Sequence, residues 1–183
     1  MKKIIAMHLP TGTNYVEVFV GSSCDIDNQY QIGLDENTFY ALLQKMHHKN
    51  YKFFQRVFKE YIYNDMVCQC HTNDEVKVFR LVPLNVLCPN KGTFVQVCYQ
   101  RTKLTLLNFP STRSIHQIHY VKQLIFRVLN RIYINFRVSV DDTTRQKTYQ
   151  IFINYNHEEN LEMSPVLKTL DELLMFLKPP MLS

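Results

Sequence analysis

At 183 residues, with 46% hydrophobic and 20% charged side chains, the chain is sized for a single globular domain spanning 1–183, and no segment has disordered or low-complexity composition. No apolar run reaches the roughly 20 residues that a membrane span needs, and MKKIIAMHLP lacks the apolar core and cleavage site of a signal peptide. The expectation is therefore a soluble protein of the cytoplasm, the nucleus or a virion, not a secreted one. Formal net charge is +5, but residues 94–155 carry nine Lys/Arg against Asp141 and Asp142, a net of +7, whereas 156–183 are net −3. A local basic field of this kind favours anionic partners, nucleic acid or an acidic protein surface.

A first strand is predicted at 14–21, with Val16, Val18 and Val20 on one face. Residues 35–63 read as helix. Asp35 is the expected N-cap, and Phe39, Leu42, Leu43, Met46, Phe53, Phe54, Val57 and Tyr61 hold one stripe at a 3.6-residue period. The polar HHKN at 47–50 marks a place where this helix could break in two. Strands follow at 66–71 and at 75–83, where Val76, Val78 and Val82 alternate, and again within 93–108. Pro110, Ser111 and Ser114 signal a turn and a helix entry. A helix at 114–130 would bury Ile115, Ile118, Val121, Ile125 and Leu129 and present His116, His119, Tyr120, Gln123, Arg127 and Asn130 on the opposite face.

Residues 132–155 alternate with a period of two around a polar turn, the pattern of a hairpin with one buried face. Ile134, Phe136, Val138, Ile151 and Ile153 are the expected core. Tyr133, Asn135, Arg137, Gln150, Phe152 and Asn154 form the other face. Pairs must sum to an odd number for both apolar rows to share a side. A sum of 287 sets Asn135 beside Phe152, and a sum of 289 sets Arg137 there as a cation–π pair. A last helix opens with Ser164 as N-cap and Pro165, and carries Leu167, Leu170, Leu174 and Leu177 as a narrow stripe. The order β-α-β-β-β-α-β-β-α lacks the steady alternation of a doubly wound sheet, so the expected class is α+β, a mainly antiparallel sheet packed against two or three helices.

Sites of chemistry are sparse. Cys68, Cys70 and His71, with Cys88 or Cys98, contain zinc-ligand types, but the C-x-C-H run differs from a C-x-x-C knuckle and the other two cysteines stand singly. Five cysteines, an odd number at irregular spacing, fit reduced thiols. His116 and His119 lack a third ligand or an H-E-x-x-H frame, and His157-Glu158-Glu159 reads as a solvated turn. Isolated glycines exclude a phosphate loop, and no nucleophile elbow is present. No catalytic, cofactor-binding or metal residue is assigned, no cofactor is expected, and the expectation is of no enzyme and no small-molecule substrate.

Glycine is scarce, alanine occurs only as Ala6 and Ala41, tryptophan is missing, and Ile, Asn, Lys, Tyr and Phe abound. That texture resembles proteins of AT-rich large DNA viruses of eukaryotes. It implies a non-enzymatic structural subunit of a larger assembly, a minor capsid or internal virion protein whose partners are other subunits. Its contact surface would comprise Tyr120, Gln123, Arg127, Tyr133, Asn135, Arg137, Gln150, Phe152 and Asn154, residue types suited to protein–protein interfaces. The alternative is a nucleic-acid-binding accessory factor using a basic face at 101–137, with Arg101, Lys103, Arg113, Lys122, Arg127, Arg131 and Arg137 along a groove and Tyr120, Tyr133 and Phe152 for stacking.

Overall fold

The computed structural model describes residues 9–21, 23–24, 30–90, 94–111, 115–129, 132–156 and 163–177. Ten strands and two α-helices are formed among them: β1 (Tyr15–Val20), β2 (Ser23–Cys24), β3 (Tyr30–Gln31), α1 (Glu36–His47), β4 (Lys52–Tyr63), β5 (Met66–His71), β6 (Val76–Asn90), β7 (Phe94–Leu104), β8 (Gln117–Leu129), β9 (Ile132–Asp141), β10 (Lys147–Asn156) and α2 (Met163–Phe176). Eight strands close into one barrel in the order β1-β10-β9-β8-β4-β5-β6-β7, with β7 returning to β1 and every pair antiparallel. Closure removes the unpaired edges that an open sheet would expose. β2 and β3 form a separate two-stranded ribbon.

The expected α+β sheet packed against helices is therefore corrected to a closed antiparallel barrel with two helices on its outside. Two segments account for the difference. Residues 52–63, expected as the second half of a long helix, are β4, and residues 117–129, expected as a helix, are β8. Both contain apolar residues at helical spacing, yet both are rich in β-branched and aromatic side chains, which fit a pleated surface. Each also gains hydrogen-bonded neighbours on both sides, and such pairing overrides a local period. A 3-10 turn at Leu106–Asn108 precedes Pro110, and Ser114 lies outside the described residues.

The other elements stand close to expectation. Asp35 caps α1, its carboxylate accepting a hydrogen bond from the Thr38 N–H at 2.9 Å, and this holds the Asp35 carboxyl below its ordinary range. Phe39, Leu42 and Met46 are the buried side of that helix. The β9–β10 hairpin adopts the 287 register, with Asn135 opposite Phe152 and Arg137 opposite Gln150. Its turn is organised by Asp141, whose Oδ1 accepts from the N–H groups of Thr143 and Thr144. α2 starts one residue before Ser164, while the side chains of Ser164, Pro165, Leu167 and Leu170 lie outside the described residues. β6 outruns its expected end, and its ladder shifts register between Pro83 and Asn85, where a proline that cannot donate to the ladder is accommodated by a bulge.

The main apolar core lies between the barrel wall and the helices, outside the barrel. Val16, Val18 and Val20 of β1, Ile132, Ile134 and Phe136 of β9, and Tyr149, Ile151, Ile153 and Tyr155 of β10 point outward into it. There they meet Phe39, Leu42 and Met46 of α1 and Leu173, Leu174 and Leu177 at the end of α2. Phe39 stands 5.6 Å edge-on to Phe136 and 5.4 Å from Tyr149. Strand alternation then dictates that the polar row of each of these strands points into the lumen.

Candidate functional site

The lumen holds a cavity of about 620 Å³, within the usual range of a small-molecule site. Its charged lining is four arginines (Arg56, Arg101, Arg127 and Arg137) against two glutamates, Glu17 and Glu60, with His119 beside them. The nine residues expected to form an external contact surface are placed as follows. Gln123, Arg127, Tyr133, Asn135, Arg137, Gln150, Phe152 and Asn154 line this cavity. Tyr120 is on the other side of β8 and 44% exposed, because on a strand it alternates with residues that a helix would have set on its own face. The same geometry separates the histidines: His116 stacks on Tyr63 at 5.3 Å, and His119 faces the lumen.

Two hydrogen-bonded assemblies organise the lining. In the first, Gln123 Nε2 donates to Asn135 Oδ1 at 2.8 Å, Asn135 Nδ2 to Asn154 Oδ1 at 2.8 Å, Asn154 Nδ2 to the Tyr15 hydroxyl at 2.9 Å, and that hydroxyl to Glu17 Oε1 at 3.0 Å. Four strands thus contribute to one chain whose donors all point toward a single carboxylate. Burial pushes the Glu17 carboxyl up to about 6, against the opposing pull of Tyr15, Arg137 and Arg101, while the neighbouring Glu60 raises it further. In the second, Arg137 Nη2 bonds Glu60 Oε2, Gln69 Nε2 donates to Glu60 Oε1 at 2.9 Å, and Arg137 Nε donates to Ser139 Oγ at 2.9 Å. His119 stands 4.0 Å from Glu60 and 3.6 Å from Asp141.

The strand directions assign the lining to the two ends of the barrel. β1 runs from Tyr15 toward Phe19, and each neighbour runs oppositely to the last. Arg56 and Phe54 on β4, Arg127 on β8, Tyr133 on β9 and Arg101 on β7 accordingly stand toward the Tyr15 end. The Arg101 guanidinium lies 5.0 Å from the Tyr15 ring and 4.4 Å from that of Phe79. Toward the other end, Phe19, Val95, Val97 and Phe152 form a separate apolar cluster. The Tyr15 end thus holds three of the four arginines, with the Phe54 and Phe79 rings among them.

Such a lining suits an anion. With Glu60 engaged by Arg137, the net lumen charge is positive, and guanidinium groups present planar, multiply donating surfaces to phosphate oxygens. Among the described residues no group of three or more His, Cys, Asp or Glu is disposed to hold a metal ion. Cys68 and Cys70 are on one side of β5, with their sulfurs 4.0 Å apart, whereas His71 alternates to the other side and packs 5.0 Å from the Phe58 ring. Cys98 belongs to the helix-covered core. Cys68 is pushed up to about 12 by burial. The side chains of Cys88, Arg113, Asn130, Arg131 and the His157–Glu159 group lie outside the described residues.

The basic face expected at 101–137 is not one face: Arg101, Arg127 and Arg137 turn into the lumen, and Lys122 is exposed on the outside. Sequence reasoning missed Tyr15, Glu17, Arg56, Glu60 and Gln69. Glu17 was legible as the one charged residue in the row opposite Val16, Val18 and Val20. Arg56 and Glu60 would have emerged from reading 52–62 with a period of two, which sets Lys52, Phe54, Arg56, Phe58, Glu60 and Ile62 on one face.

In architecture the molecule is a closed antiparallel barrel with a polar lumen. Solved structures share that fold, although no family model and no curated protein matches the chain. The S. pombe Pct1 RNA triphosphatase superposes with a TM-score of 0.71 at 8% identity, over 93% of this chain and 87% of that one, and has also been solved in complex with the Spt5 CTD. The Mimivirus capping enzyme triphosphatase superposes with a TM-score of 0.61 at 8% identity, over 90% of each chain. At such identity the likeness is one of fold. These neighbours are enzymes, and they overturn the expectation of a non-enzymatic structural protein, a minor capsid or virion subunit. No described helix is long and apolar enough to cross a membrane, which says nothing of crossing by strands.

Proposed function

We propose that the chain is a phosphohydrolase that takes the 5′-triphosphate end of an RNA into its lumen and releases the terminal phosphate. The observation that carries this reading is the concentration of Arg56, Arg101, Arg127 and Arg137 around Glu17 and Glu60 inside a closed barrel. The fold shared with the RNA triphosphatases supports it. Phosphoryl transfer asks a protein mainly for positioning and for charge stabilisation, and an arginine-lined lumen supplies both. The arginines hold the phosphate oxygens. Ionised Glu17 accepts a proton from the attacking water, whose oxygen bonds to the γ-phosphorus. The bond from that phosphorus to the β–γ bridging oxygen breaks, and its electron pair stays on the diphosphate end. A carboxyl held near 6 is suited to this role close to neutral pH. A protein partner is part of the reading, since one neighbour is known in complex with a peptide, and reduced Cys68, Cys70 and Cys98 suit an intracellular setting.

The test is release of inorganic phosphate from γ-labelled triphosphate RNA, with and without added Mg2+ or Mn2+. Expected is turnover that rises as pH passes through about 6 and falls at least about a hundredfold in Glu17→Gln and in Arg56→Ala. A folded protein that neither binds tripolyphosphate nor releases phosphate overturns the proposal.

A further inference from the structure

The lumen-facing phenylalanines are unequal. Phe19, Phe58, Phe79 and Phe152 are between 3% and 7% exposed, whereas Phe54, near the arginine-bearing end, is 39% exposed. The open ring offers a ligand an apolar face whose removal from water is favourable. One contact of this ring is with a cation: the Arg56 guanidinium carbon is 5.0 Å from its centroid. On the β4–β8 ladder, Phe54 pairs with Ile125, flanked by the pairs Arg56–Gln123 and Lys52–Arg127. The ring therefore sits between cationic positions on the same face, with successive side chains on that face about 7 Å apart, a spacing comparable with that between a nucleobase and its 5′-phosphate.

We propose that Phe54, backed by Arg56, is a stacking platform for the nucleobase adjoining the 5′-polyphosphate, so that the site selects a nucleotide end over bare polyphosphate. This rests on the polyphosphate reading above and adds the nucleoside to it. An aromatic face accepts any base, because every base has a π-face. The subsite therefore recognises that a nucleoside is present without selecting which one.

Calorimetric titration with two probes, inorganic tripolyphosphate and a short 5′-triphosphate RNA, separates the two ideas. Expected in the wild type is tighter binding of the RNA, by roughly tenfold to a hundredfold, the size of one base–aromatic stack. Phe54→Ala should collapse the RNA-to-tripolyphosphate affinity ratio toward unity, and Phe54→Trp should restore or raise it. Thermal melts confirm folding, which an exposed side chain leaves intact. Equal affinity for both probes in the wild type, or a ratio unchanged in Phe54→Ala, overturns the stacking platform while the polyphosphate site stands. Failure of tripolyphosphate to bind at all removes both.

Discussion

The wall formed by β1, β10 and β9 and the wall formed by β8 and β4 belong to one barrel but face different surroundings. The first is roofed by both helices, and its outward residues, such as Ile134, Phe136 and Ile153, are at most 2% exposed. The second presents Phe53, Val57 and Tyr120 outward at 38% exposure or more. Their inward faces are alike, since both walls place arginines and amides in the lumen. Apolar packing is therefore concentrated outside the barrel on one wall, and charged and amide groups inside it on both.

Mutations should break that division unevenly. Phe136→Ala, which empties a site packed between Phe39 and Phe126, is expected to cost about 3–5 kcal/mol in denaturant unfolding. Arg137→Ala should cost about 3 kcal/mol, because Glu60, 3% exposed, would be left buried without its cation. Adding Glu60→Gln to that variant should recover much of the loss. If it does not, the Arg137 side chain stabilises by packing instead of by charge.

Glu17 sharpens the contrast through pH. Its folded carboxyl titrates near 6 against an ordinary 4.5, so the folded state binds the proton more tightly than the unfolded state does. The favourable contribution of protonated Glu17 is then complete below about 4.5 and disappears as pH rises through 6. Glu17→Gln should therefore unfold about 1–2 kcal/mol later than wild type at pH 8, with the gap closing below pH 4.5. Thermal melts across that range would show it, and a gap independent of pH would mean that the carboxyl is not strained. The smallest effect is expected at Tyr120→Ala on the bare wall, within about 0.5 kcal/mol of wild type by the same unfolding measurement. A larger loss would mean that this face is more tightly packed than its exposure indicates.

The two walls also differ in how readily they are read. In 132–155 the outward residues Ile132, Ile134, Phe136, Tyr149, Ile151, Ile153 and Tyr155 enter an apolar core, so apolar side chains recur at every second position and the hairpin, its apolar row and the 287 register are all legible. On β4 and β8 the helices reach only the part around Phe126, which packs against His47 of α1, and elsewhere nothing demands apolarity. Outward Lys59 and Lys122 and inward Phe54, Phe58 and Ile125 blur the period of two, and a helical stripe can be drawn through the same residues. Tyr133, Asn135, Arg137, Gln150, Phe152 and Asn154 of the lining were visible as one face of the hairpin, but its direction was not. A period fixes which residues share a face and says nothing about which side is the inside.

Local sequence thus determined the capped helix at Asp35, the strand at 15–20, the hairpin and its two chemically distinct rows. Closure belonged to the tertiary structure. Only when β7 pairs with β1, and β4 with both β5 and β8, do residues as distant as Glu17, Glu60, Arg101 and Arg137 surround one cavity. Hydrogen bonds between strands far apart in the chain carry that arrangement, and helices over one wall turn the apolar row outward. Neither is written in the period of any single segment.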